Sequence, residues 1–154
     1  MDIVENTLEC PLEDVLERPL FCFFGTVSSD AAPRISPLWY LWEDERIWII
    51  ADTGKSYVDR VAADPRTALA VVDFDVATGR VHHVGMRGRA DVVPFDEDRA
   101  ERLLGRYLGP EENEWDPRFR GLDPDRWRFV RFEPGTVVAR DQSFVPGLEP
   151  GDDA

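Results

Sequence analysis

Ile47-Trp48-Ile49-Ile50-Ala51-Asp52-Thr53-Gly54-Lys55-Ser56-Tyr57-Val58-Asp59-Arg60 is the stretch on which the fold turns. Its first four residues are an unbroken apolar run rich in β-branched and aromatic side chains, which reads as a buried strand. Asp52 to Ser56 is a tight polar turn, and the residues after it read as a helix that ends at Asp64-Pro65, where proline stops helices. A helix start presents unpaired N–H groups and the positive end of the helix dipole, and Thr53, Gly54 and Ser56 add hydroxyls and an open backbone. Lys55 stands there as the single lysine of the chain. Gly54-Lys55-Ser56 has the ending of a nucleoside-triphosphate P-loop, but that motif needs a glycine where Ile49 stands, so the P-loop is rejected. Two readings stay open from these residues: a phosphate site and an ordinary capped surface helix.

Outward from this turn, the pattern is mostly strands. Pro11 to Arg18 reads as a short amphipathic helix stopped by Pro19. Leu20 to Val27 and Pro33 to Trp42 read as a hairpin around Ser28-Ser29-Asp30, Arg46 to Ala51 as a third strand and Arg66 to Val72 as a fourth. Val81 to Val93 is a long fifth strand, on which His82, Val84, Met86 and Ala90 share the core face while His83, Gly85, Arg87 and Arg89 share the other. A helix follows, with Asp96 as its cap and Ala100, Leu103, Leu104, Tyr107 and Leu108 as its apolar stripe. Glu111 to Asp125 is predicted as a polar loop anchored by Trp115 and Phe119, and Trp127 to Phe132 and Thr136 to Ala139 as two last strands around Glu133-Pro134-Gly135. Residues 1–10 and 146–154 are expected to be flexible ends of a single domain covering 1–154. Hairpin-length connections and the lack of a βαβ repeat predict a mainly β fold: a six- to seven-stranded antiparallel barrel, Greek-key-like, with peripheral helices.

Composition narrows the function. The 31 acidic residues against 18 basic ones leave a net charge of −13. Such a surface repels nucleic acid and anionic membrane, so neither is expected as a partner, and an anionic ligand needs a local cation cluster. Cys10 and Cys22 have no disulfide or zinc spacing, and the start of the chain lacks a signal-peptide pattern. A cytoplasmic protein is expected. There is no Gly-x-Ser-x-Gly elbow and no His-Glu-x-x-His helix, and His82 and His83 face opposite sides of one strand, so no metal site is expected.

Several pieces in order carry a resemblance: Phe24-Gly25-Thr26-Val27-Ser28, Pro33-Arg34-Ile35-Ser36-Pro37-Leu38-Trp39-Tyr40, the turn and helix from Thr53 to Asp64, Asp64-Pro65-Arg66-Thr67-Ala68-Leu69, and Gly88-Arg89-Ala90-Asp91. Together they resemble the pyridoxamine 5'-phosphate oxidase-like family of FMN-binding split β-barrels. The resemblance implies a homodimer with the cofactor in a groove at the subunit interface. By position it assigns the phosphate to Thr53, Lys55 and Ser56, with Arg60 as a substitute cation where the biosynthetic oxidases carry Ser-Arg-Lys in the turn. Ring contacts fall on Ser36, Pro37, Leu38 and Trp39, on Ala51, and on His83, where a glutamine is usual.

The expected activity is a flavin-dependent oxidoreductase acting on a small molecule, because a flavin brings its own redox chemistry and needs from the protein only binding and orientation. The alternatives are a deazaflavin-dependent reductase on the same fold and a flavin- or haem-binding carrier or sensor without turnover.

Overall fold

A computed structural model describes residues 1–147. Eight strands form one sheet: β1 (Asp2–Asn6), β2 (Cys22–Val27), β3 (Pro33–Leu38), β4 (Leu41–Glu43), β5 (Arg46–Asp52), β6 (Arg66–Asp75), β7 (Arg80–Pro94) and β8 (Trp127–Asp141). Their order is β3-β2-β6-β7-β8-β5-β4, every pair in that path is antiparallel, and β1 lies parallel on β8. Three helices, α1 (Leu12–Leu16), α2 (Ser56–Ala63) and α3 (Glu97–Leu108), pack around it. This is the antiparallel barrel with peripheral helices that the strand pattern predicts, in the split form that the resemblance implies.

The expected strands differ in three places, each with a physical reason. Pro33 to Trp42 is not one strand. At Tyr40 the backbone N–H goes to the Tyr107 hydroxyl at 3.1 Å and the carbonyl accepts from Arg106 Nη1 at 2.6 Å. Side chains of α3 thus take the backbone groups that a continuous ladder would use. Conversely, the two expected last strands are one. Opposite β8 the register jumps, with Arg87 facing Thr136 and Gly88 facing Pro134, so Gly135 is the extra residue of a bulge. Proline is tolerated there because a bulge omits a ladder bond, and Gly88 is required because a Cβ would collide with the Glu133 carbonyl. The bend lets β8 pair with β5 along its first half and with β1 along its second. The third correction is β1, which falls in the expected flexible start. Asp2 to Asn6 finds unpaired backbone on β8, and the Glu5 carboxylate accepts from Arg140 at 2.9 Å. The expected frayed end lies beyond the described residues except for 146 and 147.

Two hydrophobic clusters result. The larger fills the barrel with Phe24, Ile47, Ile49, Val71, Val84, Val130 and Phe132, and is closed by Leu12, Val15 and Leu16 of α1 and by Tyr57, Val58 and Val61 of α2. Fully buried side chains of this kind contribute roughly 1.5–3 kcal/mol each. The smaller cluster sits outside the barrel, where Ala100, Leu103 and Leu104 of α3 pack with Trp115 on Leu41, Trp48 and Phe129. Asp96 caps α3 by accepting from the Arg99 N–H at 3.0 Å, as its sequence predicts. No described helix is long and apolar enough to cross a membrane.

Candidate functional site

A groove of about 590 Å³ lies at the seam between the two clusters. Its volume is within the range of ligand pockets. Pro37, Leu38 and Trp39 at the end of β3, with Ile49 and Ile50 of β5, line one side; Leu103 and Leu104 of α3 line another. The segment between α3 and β8 contributes Arg118, Phe119 and Leu122, and the start of β8 brings Arg126 and Trp127. That segment is folded: it makes two 3-10 turns, Glu112–Glu114 and Pro117–Phe119. Trp115 anchors it, 4% exposed, with its indole N–H donating to the Gly109 carbonyl at 2.9 Å.

Trp39 and Tyr40 show how the strand end divides its work. Tyr40 is fully buried and its hydroxyl donates to the Leu16 carbonyl at 2.9 Å, while burial pushes its pKa up. Trp39, next in sequence, lines the groove and stacks on Tyr107 with centroids 4.5 Å apart and planes 2° from parallel. Phe119 stacks on the same indole at 5.5 Å. Tyr107 is fixed by its hydroxyl, which donates to the Leu20 carbonyl at 2.7 Å, and its pKa is also raised by burial. The aromatic wall is therefore stacked ring on ring and tied to the backbone through Tyr107.

Beyond Ile50 the chain runs through buried Ala51 to the polar turn. Asp52 organises it: its carboxylate accepts from the Gly54 N–H at 3.0 Å and from Arg126 Nη2 at 2.6 Å, and its own carbonyl accepts from the Lys55 N–H. The Arg126 guanidinium first, and the Gly54 N–H second, hold the Asp52 carboxyl below the usual carboxylate range. Thr53 donates its N–H to the Arg126 carbonyl at 3.2 Å. Thr53, Gly54, Lys55 and Ser56 are all exposed. Lys55 occupies the N-cap of α2 with no side-chain cap bond, and the N–H groups of Ser56 and Tyr57 have no acceptor among the described residues. The side-chain cap that an ordinary capped helix would carry is absent, and the start presents free N–H groups beside an exposed ammonium.

The expected site residues do not all converge. Pro37, Leu38 and Trp39 line the groove, and Thr53, Lys55 and Ser56 form the turn, joined to it through the Asp52–Arg126 pair. Ser36 and Ala51 sit on the same strands but do not line the cavity. Arg60 points elsewhere, its Nε donating to the buried Thr26 hydroxyl at 2.7 Å. His83 lies on the outer face of β7, opposite Val72 and Arg140. His82 turns inward, with Nδ1 2.9 Å from Arg18 Nη1. Because a guanidinium only donates, that ring nitrogen is the acceptor. Arg118 and Arg126, which sequence reading missed, reach the groove through tertiary folding of a stretch that reads only as charged loop.

One outer sheet face is apolar: Phe23 (43% exposed) on β2, Ile35 (71%) on β3 and Phe74 (59%) on β6. Register places Phe23 beside Pro37 and Ala70, so this face runs into the groove. Among the described residues, no group of three or more His, Cys, Asp or Glu side chains is arranged to hold a metal.

No curated protein matches the chain. Among solved structures, a conserved hypothetical protein from Mycobacterium tuberculosis is similar with a TM-score of 0.74 at 20% identity, over 98% of this chain and 97% of that one. An F420 reductase is similar with a TM-score of 0.63 at 24% identity, over 84% and 98%. A FAD-binding protein from Mesorhizobium loti is similar with a TM-score of 0.63 at 21% identity, over 90% and 96%. At these identities the likeness shows the shared fold. The sequence itself matches the pyridoxamine 5'-phosphate oxidase family profile over residues 10–131, and with the split barrel, the uncapped turn and the groove beside it, the chain belongs to that family.

Proposed function

We propose that the protein is a homodimeric FMN-dependent oxidoreductase that acts on a small molecule. The observation that carries this is the union of an uncapped, lysine-bearing helix start with an apolar, aromatic-walled groove through the Asp52–Arg126 pair. Lys55, the Ser56 and Tyr57 N–H groups and the Thr53 and Ser56 hydroxyls are suited to the phosphate, and Pro37 to Trp39 to a flat ring system. A bound flavin supplies the electron transfer itself. The chain's part is to orient the ring along β3 and to keep water off it with Leu103, Leu104 and Phe119.

The exposed Phe23, Ile35 and Phe74 support a second copy as the natural cover of that face, since apolar patches of this kind mark association surfaces. His83 lies on the same outer side of the sheet and is read as facing the neighbouring subunit's groove. Phe23→Asp is expected to convert a dimer to a monomer in analytical ultracentrifugation; a wild-type chain that sediments as a monomer removes the dimer from the proposal.

The deciding experiment is the absorbance spectrum of the purified protein, repeated after addition of FMN, and separately of the deazaflavin F420, followed by desalting. FMN retained at one per subunit supports the reading. Retention of F420 alone moves it to the deazaflavin-dependent reductase, which the similarity to an F420 reductase favours as the second reading. Retained flavin that no reductant or acceptor turns over points to a carrier or sensor.

A further inference from the structure

We infer that the groove selects a planar apolar substrate bearing a carboxylate or similar anionic group, and that Arg118 and Arg126 recognise that group. The inference rests on the groove being the reacting site, as proposed above, and adds the chemical class of what enters it. Apart from these two guanidinium groups, every side chain that lines the groove is aliphatic or aromatic, and no acid lines it. In a chain of net charge −13, the charged groups that line this apolar cavity are both guanidinium groups, each paired with an acid outside it.

Each of the two arginines pairs with an acid that lies outside the groove. Arg118 Nε is 3.3 Å from an Asp116 oxygen, and Arg126 Nη2 is 2.6 Å from an Asp52 oxygen. Each acid engages one nitrogen only. Nη1 and Nη2 of Arg118, and Nε and Nη1 of Arg126, have no partner among the described residues. Each guanidinium also lies near a groove aromatic, Arg118 at 5.0 Å from the Phe119 centroid and Arg126 at 5.4 Å from that of Trp127. Held at one edge and backed by a ring, a guanidinium keeps donors free for the bidentate geometry that carboxylates accept. An apolar cavity alone would prefer an uncharged molecule; these donors reverse that preference.

The test compares 2-naphthoate with 2-naphthamide, planar probes of the same shape that differ in charge, by isothermal titration calorimetry on the protein as purified and on the FMN-loaded protein. The carboxylate is expected to bind about tenfold more tightly, the worth of one to two exposed charge-assisted contacts, and the margin is expected to shrink as salt is raised. Arg118→Ala should narrow the naphthoate margin, since Arg126 remains, and leave the amide affinity unchanged. Arg126→Lys, which keeps the charge beside Asp52 but loses the fork, should narrow the margin partly. Equal affinities for the two probes in the wild-type protein overturn the inference without needing any variant. A carboxylate preference undiminished in both Arg118→Ala and Arg126→Lys also overturns it, as does loss of FMN in Arg118→Ala with no probe preference, which assigns the arginines to the cofactor. Failure of the cofactor reading shows separately, as protein that retains no flavin while its carboxylate preference stands.

Discussion

The turn from Asp52 to Ser56 and the segment from Glu111 to Arg126 meet at one ion pair, yet they are held in opposite ways. In the turn the four residues from Thr53 to Ser56 are exposed, and its shape comes from Asp52 accepting local N–H groups. The segment is shaped by burial, through Trp115 under α3 and Phe119 against Trp39. A site part built from local hydrogen bonds leaves its chemistry free for a ligand, whereas one built from packing contributes to the stability of the fold. The two parts should therefore respond differently to substitution.

Trp115→Ala tests the packed side and carries the largest expected effect. Removing an indole that is 4% exposed and bonded to the Gly109 carbonyl should cost about 3–5 kcal/mol of unfolding free energy, read by urea denaturation. The folded fraction should still hold FMN at the turn. A loss of less than about 1 kcal/mol would mean that the segment is a loose flap, and the contrast with the turn would fall.

This contrast also explains what the sequence disclosed. The turn was legible because five consecutive residues carry both its geometry and its charge. The faces of β7 were legible because alternation is local, and Val84, Met86 and Ala90 are buried where His83, Gly85, Arg87 and Arg89 are not. Asp96 as a cap needed only its position before an acidic first turn. What could not be read depended on distant partners. The break at Tyr40 is made by Arg106 and Tyr107, more than sixty residues later. The fusion of the last strands is enforced by Gly88 and by β7 running alongside. Arg126 is ordinary loop chemistry until the fold sets it against Asp52. The Arg60 contact is of the same kind, since the buried Thr26 hydroxyl that accepts from it comes from another strand.

Lys55→Glu tests the unpacked side. Reversing the exposed ammonium should weaken FMN retention about a hundredfold, the loss of one charge-assisted phosphate contact together with added repulsion. The urea midpoint should stay where it is, because Lys55 makes no side-chain cap bond. Retention measured by flavin absorbance after desalting gives the first number and denaturation the second. Equal loss of both would show that the turn is structural after all.

The smallest effect concerns the join. Arg126 and the Gly54 N–H lower the Asp52 pKa, so the folded value lies beneath that of the unfolded chain. With that sign, the pair's contribution is complete above the ordinary aspartate pKa of about 4 and persists somewhat below it. It is lost only as pH falls through the depressed folded value. Carboxyl carbon NMR on cofactor-free protein should give Asp52 a midpoint below the ordinary one, and Arg126→Ala should raise it toward ordinary. Using cofactor-free protein keeps the phosphate's own titration out of the curve. If the midpoint is ordinary in the wild type, the turn and the segment are neighbours without being coupled.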